Sequence, residues 1–233
     1  MSLKKIIAIV PARGGSKRIP RKNIIDFHGK PMILHTLQAA KDSKLFDKIV
    51  VSTDCPLIKD ICDDAGFIVP FFRTEYYDNY STVSQATITT LNQAESFFNE
   101  KYDVVIQLMP NSPLRTSIDI IHQYESFCEQ SPLFSISCTK FGWQNPWWSF
   151  EKNSINLAEW KFGQALLKRS QDLPELFAPN GAVWIADVNE LKKTKTFYTS
   201  STKFFEMDFI NSVDIDTPDD LIFAKKLFLL QRI

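Results

Sequence analysis

The sequence predicts an α/β fold, a layered sandwich built on a mostly parallel sheet. Three observations lead there. The first half of the chain alternates short apolar runs with helix-patterned stretches. The runs, such as Ile6-Ile7-Ala8-Ile9-Val10, are apolar throughout rather than alternating, as expected of parallel strands buried on both faces. Most helix-patterned stretches open on a start signal, either a first-turn proline or a Ser/Thr cap.

Taken in order, Ile6 to Val10 is the first strand and ends at Pro11. Pro31 opens a helix carrying Met32, Ile33, Leu34, Leu37 and Ala40. Lys48 to Ser52 is a strand, and Pro56 starts a helix that Gly66 terminates. Phe67-Ile68-Val69-Pro70 reads as a third short strand. Ser81 or Thr82 caps a helix running to about Phe98, and Asp103 to Leu108 is the fourth strand. Thr116 or Ser117 caps the next helix, with Asp119 placed where the positive end of the helix dipole favours it. Leu133 to Cys138, Ala182 to Ala186 and Lys203 to Met207 are further strands, and Thr217-Pro218-Asp219-Asp220 begins the last helix. The pattern breaks between about Thr139 and Pro179, which holds four of the five tryptophans. We read one domain over 1–233, with 139–179 as an aromatic-rich insertion serving as an interface or a substrate lid.

The composition narrows the function. Of 233 residues 44% are apolar and 23% charged, which fits a soluble globular chain and not a disordered one. Lys plus Arg and Asp plus Glu are both 27, so the net charge is zero and nothing points to nucleic acid or a membrane surface as partner. No apolar run can span a bilayer, and Met1 to Lys5 is not followed by a signal-type apolar region, so a cytoplasmic protein is expected. Cys55, Cys62, Cys128 and Cys138 have no zinc spacing and are expected to be reduced and mostly buried. His28, His35 and His122 fit no triad or metal pattern.

Chemistry concentrates in two segments. Pro11-Ala12-Arg13-Gly14-Gly15-Ser16-Lys17-Arg18-Ile19-Pro20-Arg21-Lys22-Asn23 follows the first strand, with five cations and two of only seven glycines. Small residues let backbone N–H groups approach phosphate oxygens, and Arg and Lys neutralise their charge. Neither the Walker A nor the dinucleotide glycine spacing is present. The plainer reading is a solvated basic turn, but the loop after the first strand is where an α/β sheet binds phosphates. In the second segment, Asn211-Ser212-Val213-Asp214-Ile215-Asp216-Thr217-Pro218, two carboxylates alternate toward one face. Such a pair suits Mg²⁺ bound together with substrate phosphates. The alternative is that Asp216 belongs to the helix cap and Asp214 is solvated. Polar groups also recur at strand ends: Ser52-Thr53-Asp54, Arg73, Ser81, and Asn111-Ser112-Pro113-Leu114-Arg115.

These motifs, with Pro179-Asn180-Gly181-Ala182, stand in the same order as in the acylneuraminate cytidylyltransferases, the CMP-sialic acid synthetases, and the chain resembles that family over essentially its whole length. The resemblance implies a nucleotide-diphospho-sugar transferase fold, a Rossmann-like three-layer sandwich with a dimerisation insertion. It also implies Mg²⁺ dependence and a homodimer. The implied reaction joins CTP to an acidic nine-carbon 2-keto sugar, giving CMP-sugar and pyrophosphate. Carried over by position, Arg13, Gly14, Ser16 and Lys17 would hold the CTP phosphates, with Arg13, Lys17 and Asp216 catalytic. Asn23, Arg73 and Ser81 would contact the nucleotide. Asp214 and Asp216 would bind metal. Asn180, Gln171 and, with a one-residue offset, Arg169 would face the sugar. Met109, Trp148 and Ala178 depart from the sialic acid pattern near the sugar side. The Arg18 to Asn23 segment resembles synthetases for pseudaminic-type acids, whose deoxy carbons and acyl groups suit a more apolar pocket. The alternatives are a cytidylyltransferase for an eight-carbon (Kdo-type) acid and a catalytically inactive nucleotide-binding protein.

Overall fold

The computed structural model describes residues 4–67, 69–76, 81–142 and 144–230. β1 (Ile6–Pro11) is followed by two short strands, β2 (Asp26–Phe27) and β3 (Lys30–Pro31), and by helix α1 (Met32–Ser43). Then come β4 (Lys48–Ser52), α2 (Pro56–Asp64), α3 (Val83–Phe98), β5 (Val104–Gln107), α4 (Ser117–Gln130) and β6 (Phe134–Lys140). The remainder is β7 (Phe150–Lys152), β8 (Ala158–Trp160), β9 (Phe177–Asp187), α5 (Val188–Thr194), β10 (Thr202–Glu206) and α6 (Pro218–Leu230).

Six strands form one sheet in the order β10-β6-β9-β5-β1-β4. β1 runs parallel to β4 and β5, and β10 parallel to β6, whereas β9 lies antiparallel between β5 and β6. The uniform hydrophobicity of β1 has a direct cause. Ile6, Ala8 and Val10 enter one core with α1, α2 and α4, while Ile7 and Ile9 enter a second with α3 and α5. Both faces of the sheet are thus covered by helices, as a parallel sheet requires. The capping signals are met: Thr82 with Gln85, and Thr116 with Asp119, each close a reciprocal capping box.

Two expectations are corrected. Phe67, Val69 and Pro70 are in no strand, and Ile68 lies outside the described residues. The backbone N–H of Phe67 donates to the Cys62 carbonyl and that of Val69 to Asp63 Oδ1, so both are drawn back onto the end of α2 rather than into a ladder. The stretch from Thr139 to Pro179 is also more ordered than its pattern suggests. Its two ends belong to β6 and β9, and between them β7 and β8 pair as an antiparallel hairpin. Strands of three residues are too short to display a period of two.

A third core places the C-terminal segment. Ile215, fully buried, packs in one cluster with Ile19 and Phe27 from the N-terminal loop region, Met32 and Leu114, and Ala224 and Leu227 of α6. His28 and His35 serve this cluster structurally. Their Nε2 atoms lie 2.8 Å from the carbonyls of Lys225 and Phe27, and His28 stacks on Phe228. Cys62 and Cys138 are buried, Cys55 half-buried and Cys128 exposed, all as free thiols.

Glu95 ties α3 to α5. Its nearly buried carboxylate accepts from Lys101 Nζ at 2.6 Å and Lys192 Nζ at 2.8 Å. Burial alone would push this carboxyl up, but the two lysines outweigh it and hold it below the ordinary glutamate range. A depressed folded pKa contributes stability that is complete above the unfolded pKa and is lost as pH falls through the folded one. Glu95→Gln should therefore lower unfolding free energy by roughly 1–3 kcal/mol at pH 7. Urea titrations should find that deficit shrinking as the pH is taken below the ordinary glutamate range.

Candidate active site

The carboxyl ends of β1, β4 and β5 open onto a cleft of about 430 Å³. Arg13, Ser16, Lys17, Arg18, Lys22 and Asn23 line it from the N-terminal loop, Arg73 and Ser81 from the segment before α3, and Asn180, Asp214 and Asp216 from the far side. The cationic loop and the paired acids, 200 residues apart in sequence, thus share one cavity.

The loop is held by specific bonds. The Gly14 N–H donates to Asp54 Oδ1 at 2.9 Å, and Asn23 Nδ2 donates to the Arg13 carbonyl at 2.9 Å. Neither Gly14 nor Gly15 has a positive φ. A Cβ on Gly14 would come within 2.9 Å of Cys55 Cβ, so what the position requires is close packing against the end of β4. Asn23 is buried and acts here by shaping the loop through Arg13. Arg73 is buried too. Its N–H donates to the Thr53 carbonyl at 2.7 Å, and its Nη1 donates to Ser52 Oγ at 2.9 Å. Burial lowers its pKa, Asp54 raises it, and Arg13 nearby lowers it further.

The two aspartates differ. Asp214 accepts from the Ser112 hydroxyl at one oxygen and from the Gly181 N–H, at 2.8 Å, at the other. Burial pushes its carboxyl up, and those two hydrogen bonds offset only part of the rise. Gly181 permits this approach, because a Cβ there would meet Met109 at 3.0 Å and Asp214 Oδ1 at 3.3 Å. Asp216 carries its own counter-ions: Lys22 Nζ at 2.8 Å on Oδ1 and Arg18 Nη2 at 2.9 Å on Oδ2. Burial would raise Asp216, but Lys22 and then Arg18 bring it below the ordinary range. The cap of α6 is made instead by Thr217 and Asp220, whose carboxylate accepts the N–H groups of Asp216 and Thr217. Asp216 is therefore left to the cleft, and Asp214 is not a solvated surface acid.

A buried guanidinium braces this side. Arg115 Nη1 donates to the Ala182 carbonyl at 2.7 Å and to that of Met109 at 3.2 Å, and burial lowers its pKa to about 10 against the pull of Asp119 and Asp214. Of the nine buried side-chain polar atoms without partners among the described residues, four belong to residues that line the cleft: Gln107 Nε2, Asn180 Nδ2, Asn111 Oδ1 and Arg73 Nε. Buried polar atoms left unpaired are costly, so those on the cleft are candidates for ligand contacts.

Arg169 and Gln171 do not join this group. Both are exposed on the insertion, and Arg169 pairs with Asp172 at 2.8 Å. Of the three departures from the sialic acid pattern, Met109 lines the cleft, while Trp148 and Ala178 lie on the insertion and at its edge in β9. Sequence reading assigned no role to Lys22 beyond its motif, nor to Arg18, Gln107 or Trp184. For Gln107 a signal existed: a polar residue closing an otherwise apolar strand.

Are Asp214 and Asp216 fit to hold a divalent cation? Their oxygens are hard donors, and Asp214 is desolvated enough to gain from a neighbouring positive charge. No group of three or more His, Cys, Asp or Glu gathers among the described residues, so the remaining positions would come from substrate oxygens and water. The pair fits such an ion.

A cleft lined by Arg13, Lys17, Arg18, Lys22 and Arg73 at the carboxyl edge of this kind of sheet suits a phosphate-bearing ligand, as a nucleotidyltransferase requires. The sequence pattern of the family described as Cytidylyltransferase matches residues 7–232, and the chain belongs to that family. It is 33% identical over 227 residues to the pseudaminic acid cytidylyltransferase of Campylobacter jejuni subsp. jejuni serotype O:23/36, covering 96% of each chain. It is 32% identical over 231 residues, 98% of each chain, to the CMP-N,N'-diacetyllegionaminic acid synthase of Legionella pneumophila. An N-acylneuraminate cytidylyltransferase of Streptococcus agalactiae serotype III is 34% identical over 220 residues, but these make up 52% of that longer protein. Among solved structures, a CMP:2-keto-3-deoxy-manno-octonic acid synthetase complexed with CTP superposes with a TM-score of 0.71 at 17% identity, covering 97% and 99% of the two chains. That likeness establishes the nucleotidyltransferase fold. Among the described residues, no helix is long and apolar enough to cross a membrane.

The opposed perturbation of the two acids can be tested on one of them. Lys22→Ala should move the Asp216 carboxyl upward toward its ordinary range, read by carbon NMR of the side-chain carboxylates across a pH series. An unmoved titration would show that Lys22 does not govern it.

Proposed function

We propose that the protein transfers a cytidylyl group from CTP to a nonulosonic acid, a nine-carbon 2-keto sugar acid, releasing pyrophosphate. The observation that carries this reading is the meeting of Arg13, Lys17 and Lys22 with Asp214 and Asp216 in a single cleft. Relatives at 32–34% identity named for pseudaminic, diacetyllegionaminic and N-acylneuraminic acids support the acceptor class. The octonic acid synthetase shares the fold at 17% identity, which gives little weight to an eight-carbon acceptor.

The residues divide the work. Arg13, Ser16 and Lys17 bind and orient the phosphates, and Arg13 and Lys17 stabilise the charge gathering on departing pyrophosphate. Arg73, Asn23 and Ser81 shape the nucleotide end, and Asn180 the sugar end. The anomeric hydroxyl oxygen of the sugar bonds to the α-phosphorus as the bond to the bridging oxygen of pyrophosphate breaks, and the hydroxyl proton is lost to water. Catalysis is then positioning and charge stabilisation, with no covalent intermediate. Asp214 and Asp216 would hold Mg²⁺, which when bound neutralises phosphate charge and polarises the attacking hydroxyl. We assign the reaction to the cytoplasm, where nucleoside triphosphates are made.

We also propose a homodimer. Trp148, Phe150, Trp160 and Phe162 of the insertion are all exposed, an apolar surface of the kind that partners cover. Arg169 and Gln171 would then reach the partner's sugar pocket. Trp160→Glu should yield a monomer in sedimentation equilibrium; a monomeric parent protein would rule the dimer out.

The decisive assay is pyrophosphate release from CTP with a panel of nonulosonic acids, with UTP as control. Turnover should need CTP, and chelation of divalent ions should abolish it. Asp216→Ala should cut turnover at least ~100-fold with its circular dichroism unchanged, since one transition-state charge contact is worth a few kcal/mol. CTP binding without turnover of any acceptor would point instead to an inactive nucleotide-binding protein.

A further inference from the structure

Gln107 is the last residue of β5, fully buried, and lines the cleft. Its Oε1 accepts from the Thr87 hydroxyl of α3 at 2.6 Å. That bond leaves Nε2 as the free end of the amide, and among the described residues it has no partner. Both Thr87 and Gln107 are wholly inaccessible, so no bulk water makes good the missing bond. A buried amide left half-satisfied is destabilising. Had Gln107 served packing alone, an apolar residue would have done so without that cost, as Val105 does two positions earlier on the same face.

The surroundings specify what the free N–H meets. Trp184 stands opposite Gln107 in the β5–β9 ladder, and Ala86 and Val83 line the same cleft from α3, beside Thr87. These neighbours are uncharged. A phosphate would call for a cation here, and the cations stand on the N-terminal loop and at Arg73. A sugar hydroxyl is bound most fully where a donor and an acceptor face it together. One N–H donor set among methyl groups and an indole matches a carbonyl oxygen bearing a small apolar substituent. Gln107 also sits on the strand between β1, which leads into the phosphate loop, and β9, which carries Asn180 with its own unpartnered Nδ2.

Resting on the acceptor class proposed above, we infer that Gln107 is a specificity-determining residue, held in place by Thr87, whose amide N–H binds the carbonyl oxygen of an acylamido substituent on the sugar. The mechanism as derived so far makes no use of this residue.

The experiment uses the full chain and an acylated nonulosonic acid that it turns over, together with the same sugar bearing a hydroxyl in place of the acylamido group. Gln107→Leu keeps the side-chain size and removes the donor. The ratio of kcat/KM for the acylated over the hydroxyl sugar should fall roughly tenfold or more. The loss should appear in the KM of the acylated sugar, with the Kd of CTP by calorimetry as in the parent protein. Thr87→Val, which keeps the glutamine but frees its amide, should shift the ratio in the same direction by less. An unchanged ratio, or a rise in the Kd of CTP with no change in sugar preference, would overturn the assignment, the latter by giving the contact to the nucleotide. Failure of the parent protein with every nonulosonic acid would instead remove the acceptor reading, and this inference with it.

Discussion

Burial of Ile215 is the constraint on which the site depends. One side chain, sealed among Ile19, Phe27 and α6, brings a segment near the C-terminus against the loop that follows β1. Its backbone is fastened on both sides: the N–H donates to the Asn111 carbonyl at 2.8 Å, and the carbonyl accepts Lys22 Nζ at 2.9 Å. With Ile215 fixed, Asp214 and Asp216 on either side of it have little choice of direction. A hydrophobic contact thus sets the geometry of a charged site. Removing water from one isoleucine is worth about 1.5–3 kcal/mol, enough to order a short segment that has no strand or helix of its own.

The cleft distributes charge unevenly, and that unevenness is chemically useful. Asp216 is buffered by Lys22 and Arg18, so it stays ionised and the loop cations stay oriented even without a phosphate between them. Asp214 lacks an equivalent counter-ion and is raised by burial, which makes it the acid with most to gain from a positive charge delivered by a ligand. The same cavity is also lined by uncharged groups, among them Gln107, Asn111, Asn180 and Trp184. One cavity therefore combines charged groups with uncharged polar and aromatic ones.

Much of this was legible in the residues themselves. The buried strands, the capping boxes at Thr82 and Thr116 and the phosphate-type loop are local features, written in hydrophobic pattern and in spacings of three or four residues. The strand expected at Phe67 to Pro70 shows the limit. Its apolar pattern is genuine, but its backbone donors found closer acceptors on α2, a competition that pattern cannot register. Arg169 and Gln171 show another, since within one chain they are exposed on the insertion and do not line the cleft.

By itself the sequence determined the layered α/β class, the cationic character of the loop after β1, and the spacing of the two acids, because each depends on residue type and near neighbours. Only the tertiary structure decided that those acids share a cavity with the loop, that Asp216 is paired while Asp214 is raised by burial, and that Gln107, which lines the same cavity, keeps an unpartnered N–H. These are properties of distance and desolvation. They arise when segments far apart in the chain exclude water from one another, and no local pattern encodes that.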